Sequence, residues 1–87
     1  MHTVATFYRF TDLPDQEIWR DQLKEQCEKN DVLGIIILAD EGLNATVAGP
    51  EKGVTAILEF IRSDRRFKDL TQRECTSENP PFNRLRI

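Results

Sequence analysis

Histidine, tryptophan and tyrosine each occur once in this chain, and cysteine only twice. A single histidine, His2, at a terminus expected to fray, rules out a histidine-built metal centre, and no acids stand at ligand spacing. Cys27 and Cys75 match neither a metal nor a redox spacing, so both are expected as buried thiols, free cysteine behaving as a small hydrophobe. The longest apolar run, "VLGIIILA" at 32–39, is far short of the ~20 residues a membrane helix requires. The opening "MHTVATFYRF" has no charged region followed by an apolar stretch, so it is not a signal peptide. These absences predict a cytoplasmic chain that uses no metal, no cofactor and no membrane.

What is present suits one small globular domain. The 87 residues are 39% hydrophobic and 31% charged, and domains of this length fold with little stability to spare. The net charge of -3 conceals a division along the chain. Residues 1–61 carry five bases and eleven acids, a balance of -6. Residues 62–87 carry seven bases and four acids, a balance of +3. A basic C-terminal third on an acidic body points to an anionic partner or, more simply, to a solvated surface.

The periodicities alternate. "TVATFYRF" (3–10) is β-branched and aromatic and predicts a strand. Pro14 suits the first turn of a following helix, whose apolar stripe is Ile18, Trp19, Leu23 and Cys27. "VLGIIILA" predicts a strand buried on at least one face. "LNATVAG" (43–49) alternates Leu43, Ala45 and Val47 against Asn44, Thr46 and Ala48, a half-buried strand. Pro50 opens a second helix with Val54, Ile57, Leu58 and Ile61 at helical spacing, and "DLTQRECTSE" (69–78) is a more polar strand. The order β-α-β-β-α-β predicts an α+β, ferredoxin-like (acylphosphatase-like) sandwich, an antiparallel sheet with two helices on one face. Residues 1–78 make up that domain. "NPPF" then halts the ladder, and 79–87 continue as an extended segment ending in an apparent strand.

Between the two central strands lies Asp40-Glu41-Gly42. It is predicted as a hairpin turn with Gly42 in the left-handed region and both carboxylates solvated, not as an acid/base pair. Asn44 and Thr46 would point away from the helices, onto a face open to solvent or to a ligand.

In that frame three strings carry a likeness. "LADEGLNATVAG", "FIRSDRRFKDL" and "ECTSENPPFNRLRI" together resemble the N-terminal domain of the rhodanese-related tRNA uridine hydroxylases, over nearly the whole chain and in the same order. One departure is Ala45, where that family usually has glycine, so a ligand approaching the backbone there would meet a Cβ. The resemblance implies a longer parent, an oxidoreductase in which a rhodanese domain follows and hydroxylates the wobble uridine of tRNA through its own cysteine. Neither Cys27 nor Cys75 matches that cysteine, so this stretch is expected to lack the parent's chemistry.

Three functions are then in view. As an accessory domain, the chain would position tRNA through Arg73, Arg84 and Arg86, with Arg65, Arg66 and Lys68 as outer charges and Phe82 or Tyr8 stacking on an unpaired base. Alternatively these arginines pair with Glu74 and Glu78, and Phe82 packs inward. As an enzyme, the chain would be a small acyl phosphate hydrolase using Arg9 and Asn44, but its first loop, "RFTDLPDQE", has no glycine and carries Asp12 and Asp15. As a pure interaction module, it would dock an intramolecular rhodanese domain. Salt dependence separates RNA binding from apolar docking.

Overall fold

A computed structural model describes residues 1–87. Strand β1 (His2–Phe10) leads into helix α1 (Gln16–Lys29), then β2 (Leu33–Ala39) and β3 (Gly42–Gly49). Helix α2 (Glu51–Arg62), a 3-10 turn (Arg65–Phe67), β4 (Gln72–Ser77) and a short β5 (Leu85–Arg86) complete the chain. The strands form one sheet in the order β4-β1-β3-β2-β5. Every pairing is antiparallel except β2 with β5, which is parallel, so the sheet is mixed where an antiparallel one was expected. His2 is not frayed but is paired with Ser77 in the first ladder.

The fifth strand comes from the segment expected to run on beyond the sheet. Gly34 N–H donates to the Arg84 carbonyl at 3.2 Å, and Leu85 and Ile87 pack against the core. Strand β4 ends at Ser77, where its partner β1 begins at His2, and the two prolines follow three residues later. The chain then recrosses to the far edge of the sheet, where alternation turns its two apolar side chains inward.

Both helices lie on one face. Phe7, Ile36, Leu43, Ala45 and Val47 from the sheet meet Leu23 and Cys27 of α1 and Val54, Ile57 and Ile61 of α2 in a single core. Trp19 ties α1 to α2 and to the 3-10 turn. Its ring lies 5.6 Å from that of Phe60 and 5.2 Å from that of Phe67, the latter edge-on, a favoured aromatic arrangement. Trp19, Leu23 and Cys27 are buried on α1, but Ile18 is 60% exposed. One residue of helix is a rotation of about 100°, which carries Ile18 off the line that Trp19, Leu23 and Cys27 share. The helix also begins later than predicted. Pro14 lies in the turn before it, and Asp15 takes the cap position without bonding a helix amide.

The cysteines part company. Cys27 is buried, which pushes its thiol up to about 11 and leaves it unreactive at neutral pH. Cys75 is exposed, contrary to expectation, because β4 is an edge strand and Cys75 pairs with Val4 on the helix-free face. No helix is long and apolar enough to cross a membrane.

Candidate nucleic-acid interface

The site is built by strand alternation. Residues directly opposite one another in a ladder point to the same side, so the ladders assign every side chain to a face. Thr6 faces Thr46, and their hydroxyl oxygens are 3.4 Å apart on the side without helices. The same side receives Tyr8, Phe10, Asn44, Ile35 and Ile37, and from the edge strands Arg73 and Arg86. Asn44 and Thr46 therefore point where alternation predicted. Ala45, the departure from the resembled family, is buried among the core side chains, so its Cβ bears on packing and meets no ligand on the open face.

On this face the strands present apolar and aromatic side chains and no acid. Tyr8 is 64% exposed, Phe10 77%, Ile35 44% and Ile37 56%, a cluster of large side chains that a folded chain ordinarily covers. The Tyr8 and Phe10 rings are 5.7 Å apart. Only one strand residue in the whole sheet is a carboxylate, Glu74, and its partner in the ladder is the core residue Ala5, on the other side. The exposed acids Glu17, Asp21, Glu25 and Glu28 belong to α1, and Glu51 and Glu59 to α2, all on the helix layer. In a chain of net charge -3, the strands thus present arginines and no carboxylate on this side, and the nearest exposed acids, Asp40, Glu41 and Glu78, stand at the strand ends.

Two hollows flank the face. A cavity of about 480 Å³ at the β2–β5 edge is lined by Ile35, Pro81, Phe82, Arg84 and Arg86. One of about 720 Å³ at the β1–β4 edge is lined by Thr6, Tyr8, Phe10 and Arg73. Four strand spacings separate these edges, roughly 19 Å at about 4.8 Å each. Phe82 is half-buried and lines the first hollow.

The candidate cations divide into two groups. Arg73, Arg84 and Arg86 share the open face or its rim, and none has a carboxylate within ion-pair distance, Glu74 and Glu78 included: both ion pairs of the molecule belong to Arg66. Arg65, Arg66 and Lys68 lie on and beside the 3-10 turn, which is anchored through buried Phe67 beneath Trp19, in the helix layer. Arg66, expected as an outer charge, is paired in the structure. Its guanidinium is held by Asp15 at 2.6 Å and Asp64 at 2.8 Å, and lies 5.9 Å from the centre of the Trp19 ring. Arg65 and Lys68 are exposed, on and just after that turn and not on a strand.

The turn that leads into Asn44 has a structural task. Asp40 and Glu41 form it, and Gly42 takes φ +142°. A Cβ on Gly42 would lie 2.1 Å from the Arg9 carbonyl oxygen, so the close approach of β1 demands glycine there. The turn's carbonyls also accept from the first loop, Thr11 N–H to Glu41 at 2.9 Å and Leu13 N–H to Asp40 at 2.8 Å. Contrary to expectation the Asp40 carboxylate is not merely solvated, since the Gln16 amide donates to it at 2.5 Å.

Two amides of the loop after the first strand, where a phosphate cradle would be built, are thus already engaged. Arg9 lies between Tyr8 and Phe10 on its strand, so it projects to the face opposite Asn44. An arginine and an asparagine on opposite sides of a sheet cannot share one phosphate.

Sequence reasoning missed Phe10, Ile35 and Ile37 as surface residues. A usable signal lay in "TFYRF", where burying Phe7 forces Tyr8 and Phe10 outward. Within "GIIILA" no pattern separates an inward isoleucine from an outward one.

The sheet order and one-sided helices define an acylphosphatase-like ferredoxin fold. The crystal structure of acylphosphatase from Bacillus subtilis superposes with a TM-score of 0.73, covering 100% of this chain and 98% of that one at 16% identity. At that identity the likeness concerns the fold alone. The profile of the UPF0176 acylphosphatase like domain matches residues 2–87, and the chain belongs to that family of N-terminal domains. Among curated relatives, the tRNA uridine(34) hydroxylase of Albidiferax ferrireducens is 46% identical over 95% of this chain, and that of Agrobacterium fabrum 45% over 97%. The chain spans about a quarter of their length, 26% and 27% respectively.

Proposed function

We propose that this domain positions tRNA for a catalytic rhodanese domain in a longer protein of the tRNA uridine(34) hydroxylase type. In that protein, residues 1–78 supply the body of the domain, and 79–87 supply the edge strand and lead into the catalytic domain. The domain itself performs no chemistry. What supports this most directly is that Arg73, Arg84 and Arg86 lack carboxylate partners and border a sheet face on which no strand presents an acid. Guanidinium groups in such a setting are available to phosphate oxygens, which they bind with paired N–H donors. The relatives' action on a tRNA uridine supplies the polyanion.

Bound phosphates displace counterions, so the test is a salt series. In the full-length protein carrying this domain, replacing Arg84 and Arg86 with Ala should weaken tRNA binding. It should also flatten the slope of log K against log salt by about one to two, roughly one for each phosphate no longer held. A double variant that binds tRNA like the wild type across the series would leave these arginines structural, and the domain would then be a docking module for its neighbour. That reading draws on the same face, whose exposed Ile35 and Ile37 suit an apolar partner.

A further inference from the structure

We infer that the helix-free sheet face is a stacking platform for unpaired RNA bases, carried by Tyr8 and Phe10, with Asn44 and Thr46 beside them to meet base edges. This rests on the reading of the domain as a tRNA-positioning module and names the part of the tRNA it grips: an unpaired loop, not a helical stem. The rings are the two most exposed aromatic side chains of the molecule, 5.7 Å apart and tilted by 58°, on adjacent outward positions of β1. A centroid spacing of that size lets neighbouring rings take neighbouring bases, whereas paired bases in a stem present only edges and backbone. Single-stranded nucleic acid is held by such rings together with cations that follow the backbone.

The cations are placed for it. Arg73 shares the hollow that holds Tyr8 and Phe10, while Arg84 and Arg86 line the hollow at the opposite edge. A chain crossing the strands between those edges would pass over Asn44 and Thr46 on the central strand β3. Asn44 offers both a donor and an acceptor, the pairing a base edge requires. No strand carboxylate stands on this face to repel a phosphate at close range. An apolar protein partner would bury Ile35 and Ile37 equally well, but it would gain nothing from three unpaired arginines around them.

The test uses this 87-residue chain and three probes: a single-stranded RNA heptamer, an RNA duplex of equal length, and inorganic polyphosphate. Nuclear magnetic resonance should show the Tyr8 and Phe10 ring protons moving upfield with the heptamer alone. Tyr8→Ala and Phe10→Ala should each weaken heptamer binding by roughly 5- to 150-fold without changing its salt slope, the range expected for loss of one stacked base. Tyr8→Phe should retain binding. Both side chains are exposed, so unchanged thermal melts will show that the variants fold.

The proposal is overturned if heptamer and duplex bind alike, or if the alanine variants bind the heptamer as the wild type does. Unaffected alanine variants, together with a flattened salt slope for Arg84 and Arg86, would sink stacking while sparing the tRNA-positioning reading. A chain that binds none of the RNAs, in a full-length protein whose tRNA binding ignores Arg84 and Arg86, would sink both. If the ring variants keep RNA affinity and instead expose the region after residue 87 to protease in the full-length protein, the face is covered by protein and the stacking proposal fails.

Discussion

Arg66 and Asp15, fifty-one residues apart in sequence, are joined by two parallel hydrogen bonds, Nη1 to Oδ1 at 2.6 Å and Nη2 to Oδ2 at 3.0 Å. Asp64 completes the clamp from the other side, its two oxygens accepting from Nε and Nη2 of the same guanidinium. The result ties the start of α1 to the 3-10 turn, over the Trp19 ring. Arg66→Ala should therefore cost roughly 1 to 2 kcal/mol, through the loss of charge-assisted bonds and of packing, discounted for partial exposure. Denaturant melts at pH 7 measure it. A change within about 0.5 kcal/mol would reduce the clamp to a surface ornament.

The same clamp sets a pH dependence. Hydrogen bonds from Arg66 hold the carboxyls of Asp15 and Asp64 below the ordinary carboxylate range. A carboxyl whose value is lower in the folded chain stabilises it fully above the unfolded value, about 3.9, and that contribution is lost as pH falls through the folded value. Wild-type stability should thus decline below about pH 4 more steeply than that of Arg66→Ala. Parallel melting curves between pH 5 and 2 would contradict this.

Gly42 and Glu41 are neighbours with opposite sensitivities. Gly42→Val must place a Cβ 2.1 Å from the Arg9 carbonyl at φ +142°, and should cost at least about 2 kcal/mol. Glu41→Gln alters an exposed side chain for which no hydrogen bond is formed and should stay within about 0.5 kcal/mol. A large loss from Glu41→Gln in urea melts would reveal a partner for that carboxylate.

Gly53 reverses a general rule. Glycine to alanine inside a helix ordinarily gains about 1 kcal/mol. Here the new Cβ would lie 2.3 Å from the carbonyl oxygen of Asn30, where α2 crosses the end of α1. Gly53→Ala should instead destabilise by about 1 to 3 kcal/mol, since a backbone atom must move. An increase in melting temperature would show that the two helices separate easily.

Hydrolysis of a small acyl phosphate should be no faster with this chain than without it. The Thr11 and Leu13 amides are bonded to the hairpin, and Arg9 and Asn44 project from opposite faces. Robust turnover that collapses in Asn44→Ala would overturn both that geometry and the accessory role.

Local periodicity by itself determined the succession of elements and the inward residues of α2 and β3. Apolar side chains at 3.6- or 2-residue spacing have only one way to leave water together. The free side of the sheet was equally legible at Asn44 and Thr46, because strict alternation leaves polar residues nowhere else to point. Other features needed the assembled chain. "GIIILA" has no alternation to read, and only its register against β3 turns Ile35 and Ile37 outward. Arg65, Arg66, Arg73, Arg84 and Arg86 look alike as a basic third of the sequence. Tertiary structure sends Arg66 to two aspartates and leaves Arg73, Arg84 and Arg86 around the open face. The fifth strand was decided in the same way, since a parallel pairing at the sheet's edge depends on where a proline-bounded crossing returns the chain. A charge has no periodicity to declare its partner; that partner is found only when distant segments meet.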